Sequence, residues 1–283
     1  MVVLYERYGN HSNRLIQNMH FEAYCKHYNI PFYNLDFYDM EDIYGIKTEV
    51  NYTNMNKLLS YVLTKKRKIT ENVIWEINKV KFSLILLYVY DQKWHENNYE
   101  LYEKQILKHK KSIILVKSWY FRCNNYINMY RDYFVKKYTP INLNSEEYNS
   151  IKNMFVNYDI KVGIHIRKGD YKEWNGGQYY YEDNVYNDII EQFVNLHKNK
   201  RILFILFSNE EITLKPNYDY VISKCKWYED HSLMSICDYL IGPPSTFTSW
   251  ASFIGNVPMY HIKDKHKNIE LSDFILNGIY NII

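Results

Sequence analysis

The segment that most constrains the fold covers residues 160–171, IKVGIHIRKGDY. Isoleucine or valine occupies every second position up to residue 166, which is the pattern of a β-strand with one apolar face. The alternation places His165 and Arg167 together on the opposite face, and Gly169-Asp170 ends the strand in a turn. A histidine, a guanidinium and a carboxylate are therefore predicted at the carboxyl end of a strand, where open α/β sheets bind ligands.

Arg167 offers a planar fork of donors that matches a phosphate group. The alternative is a surface strand on which Arg167 and Asp170 only form an ion pair, because ion-pair networks also imitate functional sites.

Strands and helices alternate through the rest of the second half. A continuous apolar run over residues 202–207 is typical of a strand buried on both faces of a parallel sheet. Apolar residues at helical spacing predict a helix over residues 183–196. The remaining predicted elements are a short helix over 232–237, strands over 239–241 and 257–262, and a helix that begins at Ser245 or Thr246 and ends at Gly255. This alternation predicts a Rossmann-like domain.

The amino-terminal segment also reads as strand, turn, helix and strand. Strands are predicted over residues 2–5 and 30–37, and the helix between them begins at Ser12 or Asn13. Gly9 stands at the strand-to-helix turn, where the absence of a Cβ lets a ligand approach the backbone. The turn is not a G-x-G-x-x-G fingerprint, so a dinucleotide cofactor is not indicated.

The middle of the chain is less regular. Its predicted elements are a helix near residues 58–63 that runs into the basic residues 65–68, an apolar segment over 82–90, a strand over 112–116, and a polar linker over 140–150. The linker divides the chain into an amino-terminal Rossmann-like domain, residues 1–150, and a second one, residues 151–283. The predicted fold class is therefore α/β with two Rossmann-like domains.

Composition excludes several classes of protein. The 283 residues carry a net charge of +3 at pH 7, which is too small to indicate a nucleic acid partner. The four cysteines form no C-x-x-C pair, which argues against a zinc ribbon or a disulfide scaffold. No signal-peptide pattern opens the sequence, and no stretch of about 18 apolar residues predicts a membrane span. We therefore expect a cytoplasmic protein with reduced cysteines.

Polar residues follow three predicted strands of the second domain. Ser208 and Asn209 follow the second of these strands, and Ser245-Thr246 begin a helix directly after another. Free backbone N–H groups, a positive dipole end and two hydroxyls at a helix start suit a phosphate, although a plain helix cap is the commoner reason for serine or threonine there. Together with Arg167, these positions predict one wall of a site for a phosphorylated ligand.

The sequence contains no motif typical of a metal site or of a serine hydrolase. No two aspartates stand at Asp-x-Asp spacing, and no H-E-x-x-H occurs, so neither a metal nor any other cofactor is indicated. A serine hydrolase would need a G-x-S-x-G turn, which is also missing.

Several of these segments resemble the motifs of family 11 glycosyltransferases, the α-1,2-fucosyltransferases. HIRKGDY, residues 165–171, is similar to that family's H-x-R-R-x-D-Y motif, and GPPSTFTSWASFIGNVP, residues 242–258, resembles its asparagine-serine-threonine-phenylalanine-serine-tryptophan motif. FSNE, residues 207–210, resembles its strand-end serine-aspartate motif. Arg7-Tyr8-Gly9-Asn10, with Asn13 and Gln17, resembles its amino-terminal glycine-asparagine loop.

The resemblance implies a GT-B fold, in which two Rossmann-like domains face each other across a cleft. The amino-terminal domain would then be the acceptor side, and the second domain would bind the nucleotide sugar. It further implies an inverting, metal-independent transfer of L-fucose from GDP-fucose to a hydroxyl of an oligosaccharide acceptor.

The resemblance also assigns roles to individual residues. Arg167 would hold the β-phosphate of the donor, and His165 and Asp170 would orient Arg167 or border the sugar. Asn10 would face the reacting centre, so that the implied catalytic residues are Arg167, Asp170 and Asn10. The implied donor-binding residues are Gly9, His165, Arg167, Ser208, Asn209, Ser245, Thr246 and Phe247.

Three departures from the family pattern weaken the assignment of GDP-fucose. Lys168 replaces the second arginine and cannot form bidentate contacts. Asn209 replaces the usual aspartate, and Pro243-Pro244 replace an asparagine-containing form. A different donor, as in a xylosyl- or rhamnosyltransferase, and a non-catalytic carbohydrate-binding relative are the alternatives.

The loop after the first motif, KEWNGGQYYY, suits an acceptor sugar. Trp174 and Tyr179 are the predicted stacking residues, and the alternative is a loop whose aromatic residues only pack. An inverting transfer also needs a base near the acceptor hydroxyl, for which Glu6, Asp170 and Glu173 are candidates.

Overall fold

The chain forms two compact units, Met1–Lys137 and Tyr138–Ile283. The computed structural model describes residues 1–4, 8–34, 37, 39–46, 87–91, 99–111, 113–117, 119 and 121–276. Glu6, Arg7, the predicted helix near 58–63 and the basic residues 65–68 lie outside the described residues. Within those ranges, no helix combines the length and the apolar character needed to cross a bilayer.

The first unit contains a parallel sheet with the strand order β2-β1-β4-β3. Its strands are β1 (Val2–Leu4), β2 (Phe32–Asn34), β3 (Leu87–Asp91) and β4 (Ile113–Lys117). Its described helices are α1 (His11–His27), α2 (Glu41–Tyr44), α3 (Tyr99–Lys108), α4 (Asn124–Met129) and α5 (Arg131–Lys137). Helix α1 is buried along most of its length, and its Phe21 stacks on Phe121 with 4.4 Å between ring centroids.

Two details of the first unit differ from the prediction. Helix α1 begins after Asn10, so Ser12 and Asn13 lie inside the helix rather than at its cap. Among the described residues of the predicted segment 30–37, the second strand covers Phe32–Asn34.

The second unit contains a five-stranded parallel sheet with the order β7-β6-β5-β8-β9, which is a Rossmann-like arrangement. Its strands are β5 (Ile160–Ile166), β6 (Ile202–Ser208), β7 (Tyr220–Ile222), β8 (Tyr239–Gly242) and β9 (Met259–His261). Its helices are α6 (Glu146–Met154), α7 (Asp183–Leu196), α8 (Trp227–Met234) and α9 (Thr246–Gly255). The sequence analysis did not predict β7.

Strand β5 is buried on both faces, which corrects the prediction of one polar face. Its isoleucines and Val162 pack on one side with α7. On the other side, a Cβ at Gly163 would lie 2.7 Å from Leu240 Cδ2 and 3.5 Å from Cys237 Sγ, so this face is also covered by apolar groups. The alternation in the sequence therefore reflects how closely each face is packed, and does not mark an exposed face.

Three boundaries in the second unit also differ from the prediction. Helix α6 occupies part of the predicted linker, because Tyr148 and Ile151 pack in the core beside β6. The helix predicted over 232–237 begins earlier, at Trp227. Asn256, at φ 54°, is the left-handed residue that ends α9, so the residue after Gly255 supplies the cap.

Gly255 is required where α9 meets the residue after α8. A Cβ at this position would lie 1.9 Å from the carbonyl oxygen of Ser235, so the two segments would have to separate. We expect Gly255→Ala to lower the free energy of unfolding by about 3 kcal/mol, measured by urea denaturation. Gly176→Ala is the control, because a Cβ there meets nothing within 4 Å and only the backbone strain at φ +69° remains, about 1 kcal/mol. A loss at Gly255 no larger than at Gly176 would contradict this packing.

Candidate active site

The carboxyl ends of three neighbouring parallel strands bring the predicted phosphate-binding residues to one edge of the second sheet. Strand β5 pairs with β6 on one side, where Ile166 lies opposite Ser208, and with β8 on the other, where Ile164 lies opposite Ile241. Arg167, Ser208 and the turn into α9 therefore share this edge. The edge is the usual ligand position in open α/β sheets.

Arg167 lies at the centre of this edge. Its side chain is 20% exposed, and Nη2 lies 2.9 Å from each carboxylate oxygen of Asp170. The guanidinium carbon lies 5.3 Å from the centroid of the Tyr171 ring. The ion pair that the sequence analysis gave as an alternative is thus present. The Asp170 side chain is 61% exposed, and a solvated carboxylate competes weakly with a phosphate for the guanidinium.

Lys168 faces away from this edge. Its Nζ donates to the carbonyl oxygen of Tyr181 at 2.9 Å and lies 3.0 Å from Asp183 Oδ1, at the start of α7. The side chain is 13% exposed. Lys168 therefore connects the turn after β5 to α7. Of the two cations that follow β5, Arg167 is the one that lies at the carboxyl edge of the sheet.

We expect Lys168→Ala to destabilise the second unit by about 2 kcal/mol, because it removes hydrogen bonds from a largely buried cation. Urea denaturation measures the effect. Lys172→Ala is the matched control, since Lys172 is an exposed lysine in the same loop and should cost less than about 0.5 kcal/mol. Equal losses for the two variants would show that the contacts of Lys168 contribute nothing.

The amino terminus of α9 lies beside Arg167. Ser245 is the cap residue, and its Oγ accepts a hydrogen bond from the backbone N–H of Phe247 at 3.2 Å. The hydroxyl of Tyr171 donates to the carbonyl oxygen of Pro244 at 2.7 Å, which joins the turn after β5 to the turn after β8. Thr246 is half-buried at the first helical position. The predicted cap at Ser245 is confirmed, and a helix start of this kind attracts anions.

His165 lies beneath α9 and away from the exposed edge. It is 3% exposed, and its Nδ1 lies 2.9 Å from Thr248 Oγ1. Burial lowers the pKa of its imidazole to about 3, and the nearby Arg167 contributes to the shift, so the ring is neutral. Phe247 packs between His165 and His231, at centroid distances of 5.2 Å and 4.1 Å. His165 thus positions α9 against β5.

The end of β6 touches the turn after β5. Ser208 Oγ accepts a hydrogen bond from the backbone N–H of Glu210 at 3.2 Å, and Asn209 is exposed. Gly169 has φ +54°, and a Cβ there would lie 2.2 Å from Glu210 Oε1. The left-handed φ favours glycine at position 169, whereas the Glu210 carboxylate is the end of an exposed, flexible side chain that can move aside.

Trp174 and Tyr179 lie on the loop after the first motif. The Trp174 ring packs at 4.8 Å from Tyr171 and 5.6 Å from Tyr179, and 44% of Trp174 is exposed. The packing that the sequence analysis gave as the alternative is thus present, and the role of Trp174 and Tyr179 in binding an acceptor remains a prediction.

Gly9 and Asn10 belong to the first unit and follow β1. Gly9 has φ +63°, and a Cβ there would lie 2.1 Å from Asn13 Nδ2. Asn10 precedes α1, and its side chain makes no capping hydrogen bond. The sequence analysis missed Asp39, which holds the buried Arg14 at 2.6 Å and 3.0 Å. No local pattern points to this pair, because 25 residues separate its members.

Asp230 is a second group that the sequence gave no reason to select. It is buried on α8 next to His231, and the Ser223 hydroxyl donates to its Oδ1 at 2.5 Å. Burial raises the pKa of its carboxyl to about 7, with a further increase from Glu229 and Glu147 and an opposing effect of Ser223. The carboxyl therefore gains its charge near neutral pH, one residue from a ring that packs on Phe247.

Among the described residues, no cluster of three or more histidine, cysteine, aspartate or glutamate side chains has a geometry that would hold a metal ion. The prediction that the protein uses neither metal nor cofactor remains a prediction.

Comparison with known proteins gives a fold and no family. No family model matches the sequence, and no curated protein matches it. Among solved structures, an arginine-to-lysine mutant of Arabidopsis thaliana FUT1 in complex with GDP aligns over 93% of this chain and 71% of its own, with 12% identity and a TM-score of 0.53. Fucosyltransferase NodZ from Bradyrhizobium aligns over 94% and 96%, with 13% identity and a TM-score of 0.51. The apo form of POFUT1 aligns over 90% and 94%, with 9% identity and a TM-score of 0.50.

At these identities the similarity establishes the fold alone. The predicted α/β fold class is confirmed, because the chain has two units with parallel sheets and the α/β architecture of these fucosyltransferase structures. They are fucosyltransferases of several kinds, so the resemblance to family 11 in particular remains a prediction.

Proposed function

We propose that this protein is a glycosyltransferase that moves a sugar from a nucleotide donor to a hydroxyl of a glycan acceptor, with L-fucose from GDP-fucose as the first candidate. One observation carries the proposal. Arg167, the end of β6 and the amino terminus of α9 lie side by side at the carboxyl edge of a Rossmann-like sheet. This arrangement suits the diphosphate of a nucleotide sugar.

The proposed reaction is a single inverting displacement. The acceptor oxygen forms a bond to the anomeric carbon while the bond from that carbon to the β-phosphate oxygen breaks. The diphosphate leaves with the electron pair, and the hydroxyl proton passes to a base. Arg167 and the dipole of α9 stabilise the charge that develops on the diphosphate, so we propose that no metal ion is needed.

The proposed donor contacts combine the motif resemblance with the positions of the side chains. Arg167 binds the β-phosphate, and the backbone and hydroxyls of Ser245 and Thr246 bind the phosphates. Ser208 and Asn209 lie on the β6 side of this site, where Asn209 is exposed to a ligand. His165 and Phe247 are proposed to hold the start of α9 in position, since His165 is buried and hydrogen-bonded to Thr248.

The proposed base is a carboxylate, and Asp170 and Glu173 are the candidates among the described residues. Asp170 is exposed but paired with Arg167, and Glu173 is exposed three residues later. Asn10 and Gly9, in the first unit, remain proposed catalytic and donor-binding residues from the motif resemblance.

The fold comparisons support this proposal. The Arabidopsis FUT1 structure contains GDP, and NodZ and FUT1 share the parallel α/β fold of this chain. GDP is the product that a fucosyl donor leaves behind, so the proposal takes GDP as the first nucleotide to test.

A second donor is the alternative, and two observations favour it. Lys168 binds the Tyr181 carbonyl and Asp183, so it does not replace the phosphate contacts that the second arginine of the family motif would make. Asn209 offers an amide at the position of the family's aspartate. A nucleotide sugar with another base, such as a rhamnosyl or xylosyl donor, would use the same leaving-group contacts.

Release of nucleoside diphosphate tests the proposed function. The protein is incubated in EDTA with GDP-fucose, GDP-mannose, dTDP-rhamnose or UDP-xylose, with and without a mixture of oligosaccharides, and the free nucleotide is quantified. We expect release from one donor, which increases when oligosaccharides are added. Release from dTDP-rhamnose or UDP-xylose alone would select the alternative donor. An absence of release from all four, with and without added Mg²⁺, would contradict the proposal and favour a carbohydrate-binding protein.

A further inference from the structure

Trp174 is exposed in a way that other tryptophans of the described chain are not. It is 44% exposed, whereas Trp227 is half-buried and Trp119 and Trp250 are 7% and 1% exposed. An exposed tryptophan leaves apolar surface in contact with water and adds nothing to the core. Tryptophan is enriched where proteins bind partners.

Two tyrosines pack against the Trp174 ring. Tyr171, which is buried and bonded to the Pro244 carbonyl, packs against it at 4.8 Å. Tyr179, on the other arm of the loop, packs at 5.6 Å and also contacts the core beside α7. A ring that packs against one buried and one half-buried tyrosine has a restricted orientation, which lowers the entropic cost of binding a ligand on its exposed surface.

The backbone of the loop is shaped to present this ring. Asn175, Gly176 and Gly177 all have positive φ, at 51°, 69° and 76°. A Cβ at Gly177 would lie 2.8 Å from the carbonyl oxygen of Lys172, so the chain turns back on itself immediately after Trp174. Three successive left-handed residues make a sharp reversal that ordinary side chains disfavour.

The platform is continuous with the proposed leaving-group site. The Tyr171 ring packs against Trp174, and its centroid lies 5.3 Å from the Arg167 guanidinium carbon. We propose that Trp174, supported by Tyr171 and Tyr179, is the platform on which a pyranose ring of the acceptor glycan stacks. This inference rests on the proposed function, because it takes the neighbouring Arg167 as the donor side of the reaction.

The chemistry of the surroundings favours a sugar over other occupants. A pyranose has an apolar C–H face, which suits an aromatic ring, and a rim of hydroxyls. Glu173, Asn175 and Gln178, which lie within four residues of Trp174 in the sequence, are exposed, and their side chains can form hydrogen bonds with hydroxyls. A protein partner would need about 800 Å² on each side, far more than one exposed ring offers.

The test compares Trp174→Ala with the wild-type protein on a glycan array probed in the presence of GDP, together with calorimetric titration of GDP. We expect binding to the glycans that the wild type recognises to fall about tenfold or more, with unchanged GDP affinity. Tyr218→Ala is the control, because Tyr218 is an exposed aromatic residue elsewhere in the same unit and should alter neither. Trp174→Phe keeps an aromatic face and should retain most of the binding.

Three results would overturn the platform. The first is undiminished glycan binding by Trp174→Ala, and the second is an absence of glycan binding by the wild type. The third is loss of GDP affinity in Trp174→Ala, which would place the ring in the nucleotide site. A wild type that binds glycans through Trp174 but binds no nucleoside diphosphate would instead contradict the proposed function and leave the platform standing.

Discussion

Replacing Arg167 by alanine is expected to reduce turnover of the nucleotide sugar about 100- to 1000-fold, because the variant loses the fixed charge that faces the departing diphosphate. The fold should persist. Arg167 lies beyond the end of β5, and its partner Asp170 is 61% exposed, so loss of the pair costs at most about 1 kcal/mol. The measurement is kcat/KM for the donor that the wild type uses, with thermal unfolding recorded for each variant.

Two further variants make the result specific. Lys161→Ala removes a cation from the other end of the same strand, where Lys161 pairs with Asp238 at 2.8 Å, and should leave turnover near the wild-type value. Arg167→Lys keeps a charge but loses the planar fork, so its turnover should lie between those of the wild type and the alanine variant. Near-normal turnover by Arg167→Ala would remove this residue from the mechanism.

Asp230→Asn is expected to make the protein more stable than the wild type above pH 7. Burial raises the carboxyl pKa to about 7 in the folded protein, whereas an unfolded aspartate has a pKa of about 3.9. The folded state therefore holds the proton more tightly, and this stabilising contribution is complete below about pH 4 and is lost as the pH rises through about 7. Asparagine keeps an oxygen acceptor for the Ser223 hydroxyl without acquiring charge.

The expected gain above pH 7 is at most about 4 kcal/mol, since each pKa unit corresponds to about 1.4 kcal/mol. Urea denaturation from pH 4 to pH 8.5 would show the difference between variant and wild type growing with pH. Asp238→Asn is the control for the substitution itself, because Asp238 is 41% exposed. A constant difference between Asp230→Asn and the wild type across this range would show that Asp230 does not titrate as proposed.

The sequence was most informative where periodicity and position along a strand agree. The continuous apolar run of β6 and the helical spacing of α7 predicted both elements, since each is decided by neighbours close in sequence. The same local logic placed Arg167, Ser208 and Ser245 at strand ends. Parallel pairing of β6, β5 and β8 then brings the three positions to one edge.

Contacts between distant segments account for the features that the sequence analysis missed. His165 is buried because α9, more than 80 residues later, covers the second face of β5 and supplies Thr248 as its partner. The pKa of Asp230 is shifted mainly by burial, and also by Ser223 and by Glu147 from another helix. No local sequence pattern indicates this packing. Alternation alone could not distinguish an exposed face from one that a later helix covers.

Titration of GDP by calorimetry, in EDTA, tests the central claim most directly, because it isolates the diphosphate site from the identity of the acceptor. We expect the wild type to bind GDP without a divalent ion and Lys161→Ala to bind it equally well. Arg167→Ala should bind GDP at least about tenfold more weakly. If the donor carries another base, UDP or dTDP should show the same dependence on Arg167 in place of GDP. Equal affinity of wild type and Arg167→Ala, or no binding of any of these nucleotides, would contradict a phosphate site at the carboxyl edge of the second sheet.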